Sequence, residues 1–313
     1  MNMLSEIKSK YADYRLNKIN RLETSISQGD SGIKSNNNSP PKIMPDKLKI
    51  TLKTLPKQLS IAKNMEYTVK SLKNNPENPG AIAENGFKEK FEDYAHLVGI
   101  DLVAYTDIPS EFIFKDRYLT YKNAIVLVME MNKEAIDNAP SPQTQEMGVV
   151  TYDELGKTTN LLTSYLRENG FAAQASHPAG GFVVYPALAQ KAGLGCKGRH
   201  GMLITPEFGP RQRISAIFTS ITNFPHNNDN EHSWMNDFCE KCGKCIKSCP
   251  ENAITEEHLE NNEKRTVILK ESCHGCTICM KECMFNRKDY AQIKDRIHSV
   301  IREWNDGSKK VRT

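Results

Sequence analysis

Eight of the nine cysteines in this 313-residue chain fall into two runs of one form. The first is Cys239-x2-Cys242-x2-Cys245-x3-Cys249, followed by Pro250, and the second is Cys273-x2-Cys276-x2-Cys279-x3-Cys283, followed by Met284. The spacing is that of a paired [4Fe–4S] unit, in which each run gives three thiolates to one cluster and its fourth to the other. Under that crossing, Cys239, Cys242, Cys245 and Cys283 hold one cluster, and Cys273, Cys276, Cys279 and Cys249 hold the other. A zinc site needs only two Cys-x2–4-Cys pairs per ion and would not require the third and fourth cysteine of each run. A disulfide framework goes with secretion, and no secretory signal is visible. The expected chemistry is single-electron transfer through a ferredoxin-like unit over residues 234–287.

A second stretch has chemical character. Residues 192–213 crowd Gly193, Gly195, Gly198, Gly201 and Gly209 into a short length. Glycine allows positive φ and close backbone approach to a flat or bulky ligand. Gly193-x-Gly195-x-x-Gly198 matches a dinucleotide fingerprint in number only, because an extended segment follows where that site needs a helix. From the residues alone, a glycine-rich turn between two sheet elements remains the equal alternative.

The words Ala192-Gly193-Leu194-Gly195, Gly198-Arg199-His200-Gly201 and Leu203-Ile204-Thr205-Pro206-Glu207-Phe208-Gly209-Pro210-Arg211, with Arg213, resemble the corrinoid-site segment of corrinoid-dependent reductive dehalogenases. A looser version occurs in epoxyqueuosine reductases. The resemblance covers about 150–287, and weakly begins near 84. It implies a nitroreductase-like α+β core that holds cobalamin without a protein ligand on cobalt. It further implies that a nearby cluster reduces the cobalt and that an acid supplies a proton. Cofactor contacts are then expected from Gly193, Gly195, Gly198, Arg199, His200, Gly201, Thr205, Pro206, Glu207, Phe208 and Gly209. Tyr152, placed before a helix that ends Arg167-Glu168-Asn169-Gly170, is the candidate proton donor. A phenol is protonated at neutral pH, and a cation beside it aids donation. Arg213 is the candidate cation, with Arg211 and Arg199 as rivals. The plainer alternatives are a tyrosine that packs at a helix start and arginines in structural ion pairs. Cys196, the ninth cysteine, is expected to be a small buried residue, and His177 and His200 to be structural or polar contacts.

These sites need elements to hold them. The apolar runs Ile100–Tyr105, Ala124–Met129, Phe182–Tyr185, Met202–Thr205 and Ser215–Ile221 predict strands. Glu154–Asn169 predicts a helix capped by Gly170. Tyr290, Ile293, Ile297, Val300, Ile301 and Trp304 follow helical spacing and predict a terminal amphipathic helix over 288–313. The expected organisation is a basic extension and linker over 1–83, with a short helix over 1–24 and a Ser/Asn/Pro-rich linker over 25–46. A corrinoid-binding α+β domain then covers 84–233, ahead of the two-cluster unit.

The net charge of +4 is uneven: residues 1–73 carry 14 Lys and Arg against 6 Asp and Glu. Such an excess suits a solvated extension, with contact to nucleic acid as the lesser alternative. Mean hydropathy is −0.57 and no run of about 18 apolar residues exists, so no membrane span is expected. With no twin-arginine export signal either, a cytoplasmic protein is expected. The leading reading is a cobalamin- and iron–sulfur-dependent reductase of a small organic substrate, fed by a low-potential donor such as ferredoxin or flavodoxin. The alternatives are a ferredoxin-type electron relay, for example one that reactivates a corrinoid partner, and an epoxyqueuosine reductase-like enzyme acting on tRNA.

Overall fold

In a computed structural model of the chain, residues 53–305 are described, except 116, 228, 259–263 and 270. The expected helix over 1–24 and linker over 25–46 lie outside the described residues. The chain enters through α1 (Leu55–Lys70) and α2 (Phe87–Leu97), then forms β1 (Leu102–Asp107), β2 (Asn123–Glu130), α3 (Lys133–Asp137) and α4 (Pro142–Glu168). Next come β3 (Ala173–Ser176), α5 (Tyr185–Lys191), the short strands β4 (Cys196–Lys197) and β5 (Leu203–Ile204), and β6 (Gln212–Thr219). The last part comprises α6 (Met235–Cys242), α7 (Lys244–Lys247), β7 (Ile254–His258), β8 (Lys264–Ile268), α8 (Ile278–Lys281), α9 (Met284–Arg287) and α10 (Tyr290–Asn305).

One antiparallel sheet, in the order β1-β2-β6-β3, carries the core. Strand β2 reads Ala-Ile-Val-Leu-Val without a break because both its faces are covered. Ile125, Leu127 and Ile217 point to one side, where Phe91 of α2 and Leu155, Leu162 and Leu166 of α4 pack. Ala124, Val126, Val128, Ala216 and Phe218 point to the other, against Leu188 and Ala189 of α5. This alternation is the two-residue period of a pleated strand. Each large side chain buried here contributes about 1.5–3 kcal/mol.

Helix α4 begins well before the expected Glu154. Ser141 caps it by accepting from the Thr144 N–H at 3.1 Å, and Pro142 sits in its first turn. Apolar periodicity does not reveal these turns because the buried face carries threonines. Thr151, Thr159 and Thr163 bury their hydroxyls by donating to the carbonyls of Met147, Leu155 and Thr159. Tyr152 therefore lies inside the helix and not before it. Phe182–Tyr185 is not a strand: Val183 makes a lone bridge to Ile113, and Tyr185-Pro186 opens α5. Strand β6 starts at Gln212, three residues ahead of the expected Ser215, and so includes Arg213.

Ordered structure also reaches into the stretch expected to be an extension. Helix α1 lies on α4, where Thr68 donates to Asn160 Oδ1 at 3.3 Å and Asn160 donates to the Asn64 carbonyl at 3.1 Å. Asp153, with no exposed side-chain surface, takes Lys57 at 3.2 Å and Lys157 at 2.6 Å. Burial acts to raise the Asp153 carboxyl, but hydrogen bonds from Lys157, Ser60 and Lys57 outweigh it and hold the group below its usual value. A depressed folded value gives stability that is complete above the unfolded carboxylate range and is lost as pH falls through the folded value. Asp153→Asn is expected to cost about 1–3 kcal/mol at pH 7, since both lysines remain partly solvated. Urea unfolding of the two proteins should show that gap, and show it narrowing as the pH is taken below about 4.

Candidate iron–sulfur and proton-donor site

Helices α6 and α7 are separated by Gly243 at φ 57°, between Cys242 and Cys245. The second run repeats the turn: Thr277, between Cys276 and Cys279, has φ 61° ahead of α8. A β-branched residue rarely adopts this conformation. The Thr277 hydroxyl donates to the Cys276 carbonyl at 2.7 Å. The same left-handed residue after the second cysteine of each run turns the third cysteine back toward the first two.

Cys239, Cys242, Cys245 and Cys283 line one cavity, so the first run is completed by the last cysteine of the second. Cys279 is flanked by Cys276, Cys273 and Cys249, the complementary set, and also senses Cys245 of the first. Main-chain N–H groups of Arg199, Ile246, Phe285 and Ile278 reach Cys239, Cys245, Cys283 and Cys276, and the Ala253 N–H lies 3.2 Å from the Cys249 sulfur. Burial, with neighbouring thiols adding to it, pushes Cys239 and Cys279 up to about 12 and raises Cys283 further. Such thiols become thiolates only when a cationic centre replaces their protons. Buried sulfurs with N–H donors aimed at them are the environment an iron–sulfur cluster requires. Among the described residues no three His, Cys, Asp or Glu side chains close on a single ion. The thiols of Cys239, Cys242, Cys245 and Cys283 instead line one shared space. The residues fit the clusters.

The glycine-rich segment forms one wall of that space. Gly193 to Gly201 run through β4 and the turn to β5, so the segment is a glycine-rich turn between two sheet strands followed by a strand, with no dinucleotide-type helix. Arg199, His200 and Ile204 line the cavity. Thr205 and Gly209 close a tight turn through a β-bridge, with the Thr205 hydroxyl accepting from the Phe208 N–H at 3.1 Å. Glu207 is exposed, and Pro206 and Phe208 are half-buried. Gly209 has φ +58°, and a Cβ there would lie 2.2 Å from the Phe285 carbonyl oxygen, two residues past Cys283. A Cβ at Gly195 would lie 2.0 Å from the Ile204 carbonyl oxygen. These two glycines make the chain's own close packing. Gly193 faces Asn227, Gly198 faces His200, and Gly201 faces Ile268. Gly209→Ala should cost about 2–4 kcal/mol, from left-handed strain plus a backbone clash. Gly170→Ala is the control, with φ +84° and nothing within 4 Å, and should cost about 1 kcal/mol. Chemical unfolding of the two variants checks the difference.

Past Pro210, the segment becomes β6. Arg213 pairs in register with Met129 and so faces α4. Its guanidinium lies over the Tyr152 ring, 4.5 Å from the centroid. Both side chains are half-buried. Gly148 and Gly156, one turn to either side of Tyr152, make room: a Cβ at Gly148 would stand 3.9 Å from Arg213 Nη2, and one at Gly156 would strike the His177 ring at 2.0 Å. The Ala179 N–H donates to His177 Nδ1 at 3.0 Å. Nδ1 also lies 3.2 Å from the Ala179 carbonyl, and burial pulls His177 down to about 4, so the ring is neutral. His177 Nε2 and Arg213 Nε are buried without hydrogen-bond partners among the described residues. Tyr185, read from the sequence only as a strand residue, is half-buried nearby; burial raises its phenol, and Tyr152 adds to this. Its hydroxyl lies 2.7 Å from Ser176 Oγ.

The rival arginines are engaged elsewhere. Arg211 pairs with Glu130, and Arg199 pairs with Glu256, with Thr266 Oγ1 at 3.1 Å and the Glu240 carbonyl at 3.2 Å. Cys196 is buried and donates to Asn236 Oδ1 at 2.8 Å, beside Cys239. At the end of the chain, Tyr290, Ile293 and Ile297 of α10 pack with Trp234 and Phe285. No described helix is long and apolar enough to cross a membrane.

Comparison with known proteins agrees with this architecture. Residues 238–286 match the 4Fe-4S dicluster domain family. The chain is 34% identical over 158 residues to the tetrachloroethene reductive dehalogenase of Sulfurospirillum multivorans, covering 49% of this chain and 30% of that protein. It is 31% identical over 116 residues to the epoxyqueuosine reductase of Listeria monocytogenes, covering 32% of this chain and 29% of that protein. The chain thus spans less than a third of the length of either relative. The fold resembles that of the catabolic reductive dehalogenase NpRdhA in complex with 3-bromo-4-hydroxybenzoic acid. The TM-score is 0.62 at 21% identity, over 75% of this chain and 37% of that one. The protein is a mixed helix-and-sheet relative of the reductive dehalogenases and epoxyqueuosine reductases, with a ferredoxin-like 4Fe-4S dicluster domain.

Proposed function

We propose that this relative of the reductive dehalogenases is a corrinoid-dependent iron–sulfur reductase of a small organic substrate. In this reading it works in the cytoplasm on electrons from a ferredoxin or flavodoxin, and its core is nitroreductase-like. The supporting observation is the continuity of residues 198–213. One segment walls the cavity of Cys239, Cys242, Cys245 and Cys283 at Arg199, His200 and Ile204, and ends with Arg213 over Tyr152. Bound clusters would supply single electrons and a bound corrinoid the reductive bond cleavage.

The chain's residues have separate tasks. The Thr205–Gly209 turn and Arg213 are the parts that would hold the corrinoid. A corrinoid is rimmed with amide carbonyls, and Arg213 Nε is a buried donor that lacks an acceptor among the described residues. Tyr152 keeps a proton on its phenol oxygen at the half-buried end of this face. Arg213 offers positive charge to the oxygen left negative when that proton goes to substrate. Apolar cover from Phe238, Phe285 and Met284 keeps water from the first cysteine set.

The protein, loaded anaerobically with iron, sulfide and cobalamin and given a reduced donor, is tested against chlorinated ethenes and brominated phenols. Halide release above the protein-free rate supports the proposal. Release of none, with reduction of an epoxide on a tRNA stem loop, would move the assignment to the epoxyqueuosine reductase-like alternative. The basic excess favours that alternative less than its count suggests, because Lys53, Lys57 and Lys70 are ion-paired to Glu146, Asp153 and Glu66.

A further inference from the structure

His200 is only 4% exposed and lines the cavity formed by Cys239, Cys242, Cys245 and Cys283. The Met202 N–H donates to its Nδ1 at 3.2 Å. A neutral imidazole that accepts at Nδ1 carries its proton at Nε2. That Nε2 is buried and has no partner among the described residues. The seat is built for the ring: a Cβ at Gly198 would come within 2.8 Å of His200 Cε1 and 3.2 Å of Nε2. A buried donor with its tautomer set by the backbone, in the wall of a thiol-lined cavity, calls for an acceptor inside that cavity.

We propose that His200 Nε2–H donates a hydrogen bond to a sulfur of the cluster held by Cys239, Cys242, Cys245 and Cys283, and so makes this cluster the easier of the two to reduce. The inference rests on the reading that these four cysteines bind a cluster. A reduced cluster is one charge more negative, and a donor to its sulfur stabilises that state more than the oxidised one. The direction of transfer follows. One electron from a ferredoxin-class donor reduces the cluster of Cys273, Cys276, Cys279 and Cys249. It then passes to the cluster beside His200, so the first is reoxidised by one electron as the second is reduced by one. The proton stays on Nε2 throughout. Electrons are delivered to the cluster whose wall is the glycine-rich segment, and that segment leads on to Arg213 and Tyr152.

The test is a redox titration of the loaded full-length chain followed by electron paramagnetic resonance, with His200→Phe and His200→Gln. The phenylalanine fills the seat without a donor, and the glutamine amide restores one. In His200→Phe the reduction equilibrium of one cluster should fall about tenfold, which is about 59 mV for one electron, while the other cluster holds its value. His200→Gln should recover most of the shift. A His200→Phe titration within about twofold of wild type overturns the inference. Should His200→Phe load less iron than wild type, the decision passes to 15N-histidine-labelled protein carrying His274→Ala, which removes the histidine adjoining Cys273. Nitrogen coupling to a reduced cluster supports the bond, and its absence overturns it. Wild-type protein that binds no iron at all overturns the cluster reading itself, and is recognised before any titration.

Discussion

Cys283→Ala will lower bound iron from about eight atoms per chain to about four, and the cluster lost will be the one held by the first cysteine run. Cys283 belongs by sequence to the second run, so a reading by proximity along the chain predicts the opposite loss. Its side chain is 7% exposed, its sulfur receives the Phe285 N–H, and its thiol neighbours are Cys239, Cys245 and Cys242. Removing the fourth ligand leaves an incomplete set in which burial raises the Cys239 and Cys245 thiols. Cys249→Ala is the mirror experiment and should remove the cluster of Cys273, Cys276 and Cys279. Both variants should lose electron delivery to substrate, because each breaks a two-step relay. Retention of about eight irons in Cys283→Ala would show that the crossed ligand sets are wrong.

Tyr152→Phe will lower substrate turnover by about 10²- to 10⁴-fold while iron and cobalt stay as in wild type. The substitution removes one oxygen and keeps the ring on which the Arg213 guanidinium rests at 4.5 Å, so the packing of α4 on β6 is preserved. Its effect is then on the proton alone. Arg213→Gln should cost less, about 10-fold, since it removes a charge that assists the proton donor and leaves the donor in place. Equal turnover by Tyr152→Phe and wild type would remove Tyr152 from the reaction and leave it as a packing residue of α4.

Legibility in the sequence followed the strictness of the physical constraint. Metal ligation restricts both residue type and spacing, so the 4Fe-4S dicluster domain was readable from the cysteine runs. Continuous apolar runs marked β1, β2 and most of β6 because a sheet covered on both faces needs them. Strand β3 was missed because Ala173-Gln174-Ala175-Ser176 is small and polar; it is buried with Gln174 accepting from the Thr120 N–H at 3.0 Å. The first turns of α4 were hidden because their buried face carries Thr144, which donates to the Ala135 carbonyl, and Thr151, which donates to the Met147 carbonyl, and this displaced Tyr152 to a position before the helix. The composition of residues 1–83 as a whole masked α1, whose attachment depends on Asp153 and Asn160, about 90 residues away. The placement of Arg213 over Tyr152 joins residues far apart in sequence, and family resemblance was the signal that suggested it. The His200 seat had no sequence signal beyond the neighbouring Gly198, since it depends on the Met202 N–H and on a cavity closed by Cys283.

The central claim is that one chain binds two clusters and a corrinoid. The direct measurement is iron, sulfide and cobalt per chain, with the visible spectrum, after anaerobic expression with cobalamin supplied. The account predicts about eight irons, about eight sulfides and about one cobalt. About eight irons with no cobalt, in the presence of excess corrinoid, would contradict it and leave the protein an electron relay.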